Sequence, residues 1–128
     1  RIKKLVKNVG ILTIADVKTP HEVQRMLVDA RFALCTRLHS AILSSTVSTP
    51  FITFAYQTKT IGFLKSYGLI KWNINIEDVT RDKLKTMVQK IMNRREYEKY
   101  LSIFEDRQKI ILKQSDIVNI KLSTLLNY

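Results

Sequence analysis

The chain is poor in the residues that staple or punctuate a fold: its 128 residues include one cysteine, two prolines and three glycines. Cys35 lies inside the apolar run Phe32-Ala33-Leu34-Cys35 and has no second thiol to pair with. That suits a reducing compartment and a small buried side chain better than a disulfide or a reactive thiol. With only Gly10, Gly62 and Gly68 available, no glycine-rich phosphate loop can form. Two histidines, one cysteine and scattered acids give no ligand spacing for zinc or calcium, so neither a metal nor a cofactor is expected. No apolar run approaches the roughly 18 to 20 residues that cross a bilayer, and no basic-then-apolar signal opens the sequence. A cytoplasmic location is expected, with peripheral membrane association and oligomeric state left open. Internal repeats and low-complexity segments are absent as well.

Acidic residues are scarce too, 11 against 22 lysines and arginines, which leaves a formal charge of +11 and a pI near 10.0. Such a charge raises the prospect of a polyanionic partner. The basic residues are nevertheless dispersed, with clusters at Arg1, Lys3, Lys4 and Lys7, at Arg81, Lys83 and Lys85, and at Lys90, Arg94, Arg95 and Lys99. The last two sit on amphipathic helical patterns and read as solvated faces. Aromatic residues are not interleaved with them as a base-stacking platform requires, so nucleic acid is not the expected partner.

What is present, 45% hydrophobic and 26% charged residues, suits one globular domain over residues 1–128. Apolar runs predict strands over 9–15, 31–35 and 51–55, and a last short strand over 70–76. Thr19-Pro20-His21-Glu22 opens a helix reaching Asp29, with Thr as N-cap, Pro in the first turn and His21 on the surface. Thr36 is expected to cap a second helix carrying Leu38, Ala41 and Ile42. Tyr56 to Thr60 reads as a loop, Ile61 to Tyr67 as a helix closed by Gly68 in a left-handed cap, and Glu77 to Asn93 as a further helix. The C-terminal segment 96–128 lacks Pro and Gly. It predicts one long helix or two over 96–125, with apolar or aromatic residues recurring at Tyr97, Leu101, Phe104, Ile111, Leu112, Val118, Leu122 and Leu125 in a seam that Gln108 and Ser115 interrupt. Strands alternating with helices predict an α/β fold, a Rossmann-like three-layer domain with a parallel sheet and right-handed crossovers, the long helix packed across it.

Thr36-Arg37-Leu38-His39-Ser40-Ala41-Ile42, preceded by Asp29-Ala30 and followed in order by Pro50-Phe51-Ile52, Tyr56-Gln57-Thr58-Lys59, Gly62-Phe63-Leu64 and Leu69, resembles the C-terminal motif block of the polysaccharide pyruvyl transferase family. The block covers about a third of the chain. Ser48 stands where that family usually has glycine, two residues before the proline, and Gln57 where it commonly has an acid. The resemblance implies the C-terminal, donor-binding lobe of a two-lobed, GT-B-like enzyme whose N-terminal lobe is missing from this chain. It implies transfer of a pyruvyl ketal from phosphoenolpyruvate to a sugar of a cell-surface polysaccharide. Arg37 and His39 are the implied catalytic pair, and Thr36, Arg37, His39, Tyr56 and Lys59 the implied donor-binding set. Arg37 suits a carboxylate or phosphate because its planar guanidinium makes two parallel charge-assisted bonds. His39 suits proton transfer, and Lys59 supplies a point charge. Two other readings stay open: a lobe that takes a nucleotide-sugar donor, and a non-catalytic module for anions or nucleic acid. Without the resemblance, Arg37 and His39 suit a structural role at a strand end, capping carbonyls and filling a surface groove, better than catalysis.

Overall fold

In the computed structural model, which describes residues 19–126, the first helix starts as its sequence dictates. Helix α1 (Pro20–Val28) is opened by a complete capping box: the Glu22 backbone N–H donates to Thr19 Oγ1 at 3.3 Å and the Glu22 carboxylate accepts from the Thr19 backbone N–H at 2.9 Å. The expected strand over 9–15 and the basic residues before it lie outside the described residues.

Two short parallel strands follow, β1 (Ala33–Cys35) and β2 (Phe51–Thr53), joined by α2 (Leu38–Thr46) in the expected strand–helix–strand unit. Their register pairs Ala33 with Phe51 and Cys35 with Thr53. Both strands are shorter than expected. Arg31 and Phe32 precede β1, and Phe54 and Ala55 leave β2 for the loop. Leu34 is 50% exposed, so the described residues do not enclose β1 on both faces as its continuous apolar run had suggested.

The predicted strand over 70–76 does not form. A 3₁₀ turn (Ile70–Trp72) occupies its first half, and pairing with β2 shrinks to one parallel bridge, Thr53 with Asn73, and one bond from the Ile74 N–H to the Thr53 carbonyl at 2.9 Å. The described residues are therefore mostly helical around a two-stranded parallel sheet, rather than built on three or four strands. Trp72 explains the exchange, because turning the chain there drives the indole into the core at 1% exposure, against Tyr100 at 5.1 Å between ring centres.

α3 (Thr58–Tyr67) begins three residues earlier than the periodicity predicts and ends, as expected, at Gly68 with φ 69°. α4 (Arg81–Met92) is capped by the Thr80 hydroxyl, while Glu77 and Asp78 fall in a separate 3₁₀ turn before it. One unbroken helix, α5 (Arg94–Leu126), completes the chain, its start held by Asn93 Oδ1, which accepts from the Arg95 and Glu96 N–H groups.

Only the first half of α5 packs on the body. Tyr100 and Phe104 are buried with Phe51, Ile52, Leu64, Leu69 and Ile91, and Leu101 and Ile103 flank them. In the parallel ladder, residues 50, 52 and 54 of the second strand face β1, so Phe51 and Thr53 turn their polar groups to the other side. There, among the described residues, Tyr100 takes the place of a neighbouring strand: its hydroxyl donates to the Phe51 carbonyl at 2.8 Å and accepts from the Phe51 N–H at 3.2 Å.

The turn between α2 and β2 holds one local misfit. Ser48 has φ 56°, the left-handed region, which costs a residue with a side chain about 1–2 kcal/mol. This is the position where the resembled motif carries glycine. Its hydroxyl accepts from Gln108 Nε2 at 3.2 Å, an exposed bond that ties the turn to α5. Ser48→Gly is expected to raise unfolding free energy by up to about 1 kcal/mol, the relief of strain exceeding glycine's entropic cost. Ser48→Val should lower it by about 1–2 kcal/mol. Urea denaturation of both variants beside Gln108→Ala separates the backbone effect from the lost bond, and a Ser48→Gly variant less stable than Gln108→Ala would refute it.

Candidate anion site at the carboxyl rim of the sheet

Because β1 and β2 are parallel and in register through Cys35 and Thr53, their carboxyl ends lie side by side. The chain leaves each strand through a short connection and enters a helix, so α2 and α3 both open at this rim. Their amino ends are built unlike those of α1 and α4. The latter are capped by Thr19 and Thr80 and carry Glu22 and Asp82 in the first turn. α2 and α3 have no side-chain cap and no acid in the first turn. Their leading N–H groups are thus left for solvent or a ligand, and no carboxylate offsets the positive helix ends.

Thr36 is not the N-cap that its type suggests. Arg37 holds that position in extended conformation, φ −128° and ψ 150°, and its carbonyl accepts from Ser40 Oγ at 2.6 Å. That bond satisfies a carbonyl and leaves the N–H groups of the first turn without a side-chain acceptor. Arg37, His39 and Thr36 are exposed, with His39 the second residue of α2. Lys59 is likewise the second residue of its helix rather than a loop residue, because α3 starts at Thr58. Tyr56 lies in the connection from β2 and is 67% exposed.

The two arms of the set, Thr36, Arg37 and His39 after β1 and Tyr56 and Lys59 after β2, share the rim. Among the described residues, the five side chains form no hydrogen bond or ion pair with one another or with any other group. A structural role in capping carbonyls would show such bonds. Cys35, directly before them, is buried, and burial pushes its thiol up, away from the thiolate a nucleophile needs.

Asn73 is a residue that sequence reasoning missed. Its Oδ1 accepts from Thr53 Oγ1 at 2.7 Å and from the Ala55 N–H at 3.0 Å, while its Nδ2 donates to the Ala55 carbonyl at 3.2 Å. These bonds fix the chain as it leaves β2 and so set where Tyr56 begins. The only hint was its place, with Asn75, between the apolar residues of Ile70 to Ile76. Asn73 also borders a cleft of about 920 Å³, floored by Ile61, Ile70, Ile74 and Met87 and edged by Asn75, Asp78, Asp82, Lys83, Thr86 and Lys90. None of the five predicted residues lines it. Among the described residues no group of three His, Cys, Asp or Glu side chains could hold a metal ion, and no helix is long and apolar enough to cross a membrane. No known protein family matches the chain, and no solved structure does.

Proposed function

We propose that this domain is the donor-binding lobe of a polysaccharide pyruvyl transferase-like enzyme, a Rossmann-like three-layer lobe whose rim holds phosphoenolpyruvate. The observation that carries the reading is the pair of uncapped, acid-free helix starts opening at one rim, beside unpaired Arg37, His39 and Lys59. Arg37 takes the donor's carboxylate or phosphate in a two-pronged contact, and Lys59 with the α3 amino end neutralises the remaining charge. One sugar hydroxyl adds to the enol carbon while the terminal methylene gains a proton. A second hydroxyl then displaces phosphate, which leaves with its bonding electron pair, and the ketal closes. The two hydroxyl protons balance the methyl group and the departing phosphate. His39 delivers or accepts one of them. The sugar acceptor requires the lobe that lies outside this chain.

The cleft beside Asn73 favours a second reading. At about 920 Å³ it exceeds what phosphoenolpyruvate fills and falls in the range of larger ligands. A nucleotide-sugar donor would use it for the base and ribose, with its diphosphate at the rim.

Thermal unfolding with phosphoenolpyruvate, uridine diphosphate, inorganic phosphate or single-stranded RNA tests these readings, since only a ligand of the native state raises the melting temperature. Phosphoenolpyruvate is expected to protect with a shallow salt dependence. Protection by the nucleotide alone selects the second reading. Tight RNA binding that falls by orders of magnitude with moderate salt replaces both with a nucleic-acid module.

A further inference from the structure

The second half of α5 continues the core-facing side of the first half, but among the described residues nothing packs against it. At 3.6 residues per turn, Val118 lies about five turns beyond Tyr100 and Leu122 about five turns beyond Phe104, so each pair points the same way. Tyr100 and Phe104 are each 1% exposed, whereas Val118 and Leu122 are 53% and 49% exposed. Ile111 at 51% and Leu125 at 71% complete the stripe. An isolated helical stretch of this length, rich in isoleucine, valine, serine and threonine, is marginal in water without a packed face.

We propose that this stripe pairs with the same stripe of a second copy of the chain, antiparallel, about a two-fold axis near Val118. The direction of the stripe selects this occupant. It looks toward the side on which the domain body sits, so a flat membrane would meet the body before the stripe. In a parallel pair the two bodies would collide for the same reason. In an antiparallel pair each body lies beyond the other helix's carboxyl end, and each stripe extends the other copy's core. Ile111 of one copy then lies against Leu125 of the other, and Val118 lies beside its counterpart.

The charges agree with this pairing. Lys109, Lys113 and Asp116 fall on the opposite side of the helix, and Lys121 at the edge meets Gln114 across the pair rather than another lysine. Exposed stripes of two copies supply area on the order of 1,000 Å², the low end for specific association, so the dimer is expected to be reversible. Since each copy carries +11, salt should strengthen the dimer by screening, whereas salt weakens adsorption to an anionic surface.

Sedimentation velocity over a range of protein and salt concentrations, with single-cysteine cross-linking, tests the proposal. The expected result is a monomer–dimer equilibrium that tightens with salt and weakens about a hundredfold or more in Val118→Lys, which sets two charges against each other at the axis. Val118→Cys should cross-link to itself with a short thiol reagent. Ile111→Cys should not, because its counterpart is about 21 Å away along the helix, but it should cross-link when mixed with Leu125→Cys. A monomer at every concentration overturns the proposal, with or without binding to anionic vesicles. Self-cross-linking of Ile111→Cys as fast as that of Val118→Cys overturns the antiparallel arrangement.

Discussion

Tyr100→Phe is expected to lower the unfolding free energy by about 2–4 kcal/mol while leaving the hydrophobic contacts in place. The hydroxyl is the partner of both the N–H and the carbonyl of Phe51, and all three groups are buried. Removing one oxygen therefore strands two backbone groups on the side of β2 that faces away from β1. The ring stays wedged against Trp72, Phe51 and Phe104, with centres 5.1, 5.9 and 5.3 Å away, so little of the loss comes from packing. Tyr100→Ala adds a cavity and should cost about 3–5 kcal/mol for the ring alone. Chemical denaturation measures both, and a Phe variant within 0.5 kcal/mol or so of the parent would show that water replaces the hydroxyl without penalty.

The same residue gives the protein an alkaline limit. Burial pushes the Tyr100 phenol well above its usual range, despite the opposing effect of its bond to Phe51, and burial also raises the Cys35 thiol. Both groups are neutral in the fold and ionise more readily once unfolded. Their contribution is complete below their ordinary values, 9.0 for the thiol and 10.0 for the phenol, and is lost as pH rises through and beyond them. In Tyr100→Phe the part of the alkaline loss that begins near 10 should disappear, and in Cys35→Ala the part that begins near 9.

The second large effect belongs to the rim. On the proposed transferase reading, His39→Ala in an active enzyme is expected to lower turnover by roughly a hundredfold to ten-thousandfold with a smaller change in donor binding, as for a lost proton-transfer group. Arg37→Lys should instead weaken the donor by about 1.5–3 kcal/mol, because an ammonium cannot reproduce a two-pronged guanidinium contact. Both side chains are exposed and make no bond in the fold, so neither change should alter stability by more than about 0.5 kcal/mol. That separates loss of function from loss of fold. Full binding and full turnover in both variants would make the rim structural. A fall in binding alone in both would make His39 a positioning residue and move proton transfer to the other lobe.

Features that depend on residues within a turn or two of one another were legible in the sequence. Thr19-Pro20-His21-Glu22 starts α1, Gly68 ends α3 in the left-handed region, and the strand–helix–strand order around Arg37 holds, because caps, turns and periodicity are local matters. The core half of α5 was legible through Leu101 and Phe104, although the buried Tyr100 just before them was not. Tertiary structure decided what the strands pair with. The bond between Tyr100 and Phe51 joins residues 49 positions apart, and those between Asn73 and Ala55 residues 18 apart, separations that no periodicity encodes. The stretch from Leu69 to Ile76, in which Lys71, Asn73 and Asn75 alternate with apolar residues, suits a strand or a buried turn; burial of Trp72 beside Tyr100 selects the turn and leaves a single bridge to β2. The same holds for the apolar seam of α5, which reads alike along its length: the body of the domain covers its first half and stops, and only the three-dimensional arrangement leaves the rest exposed.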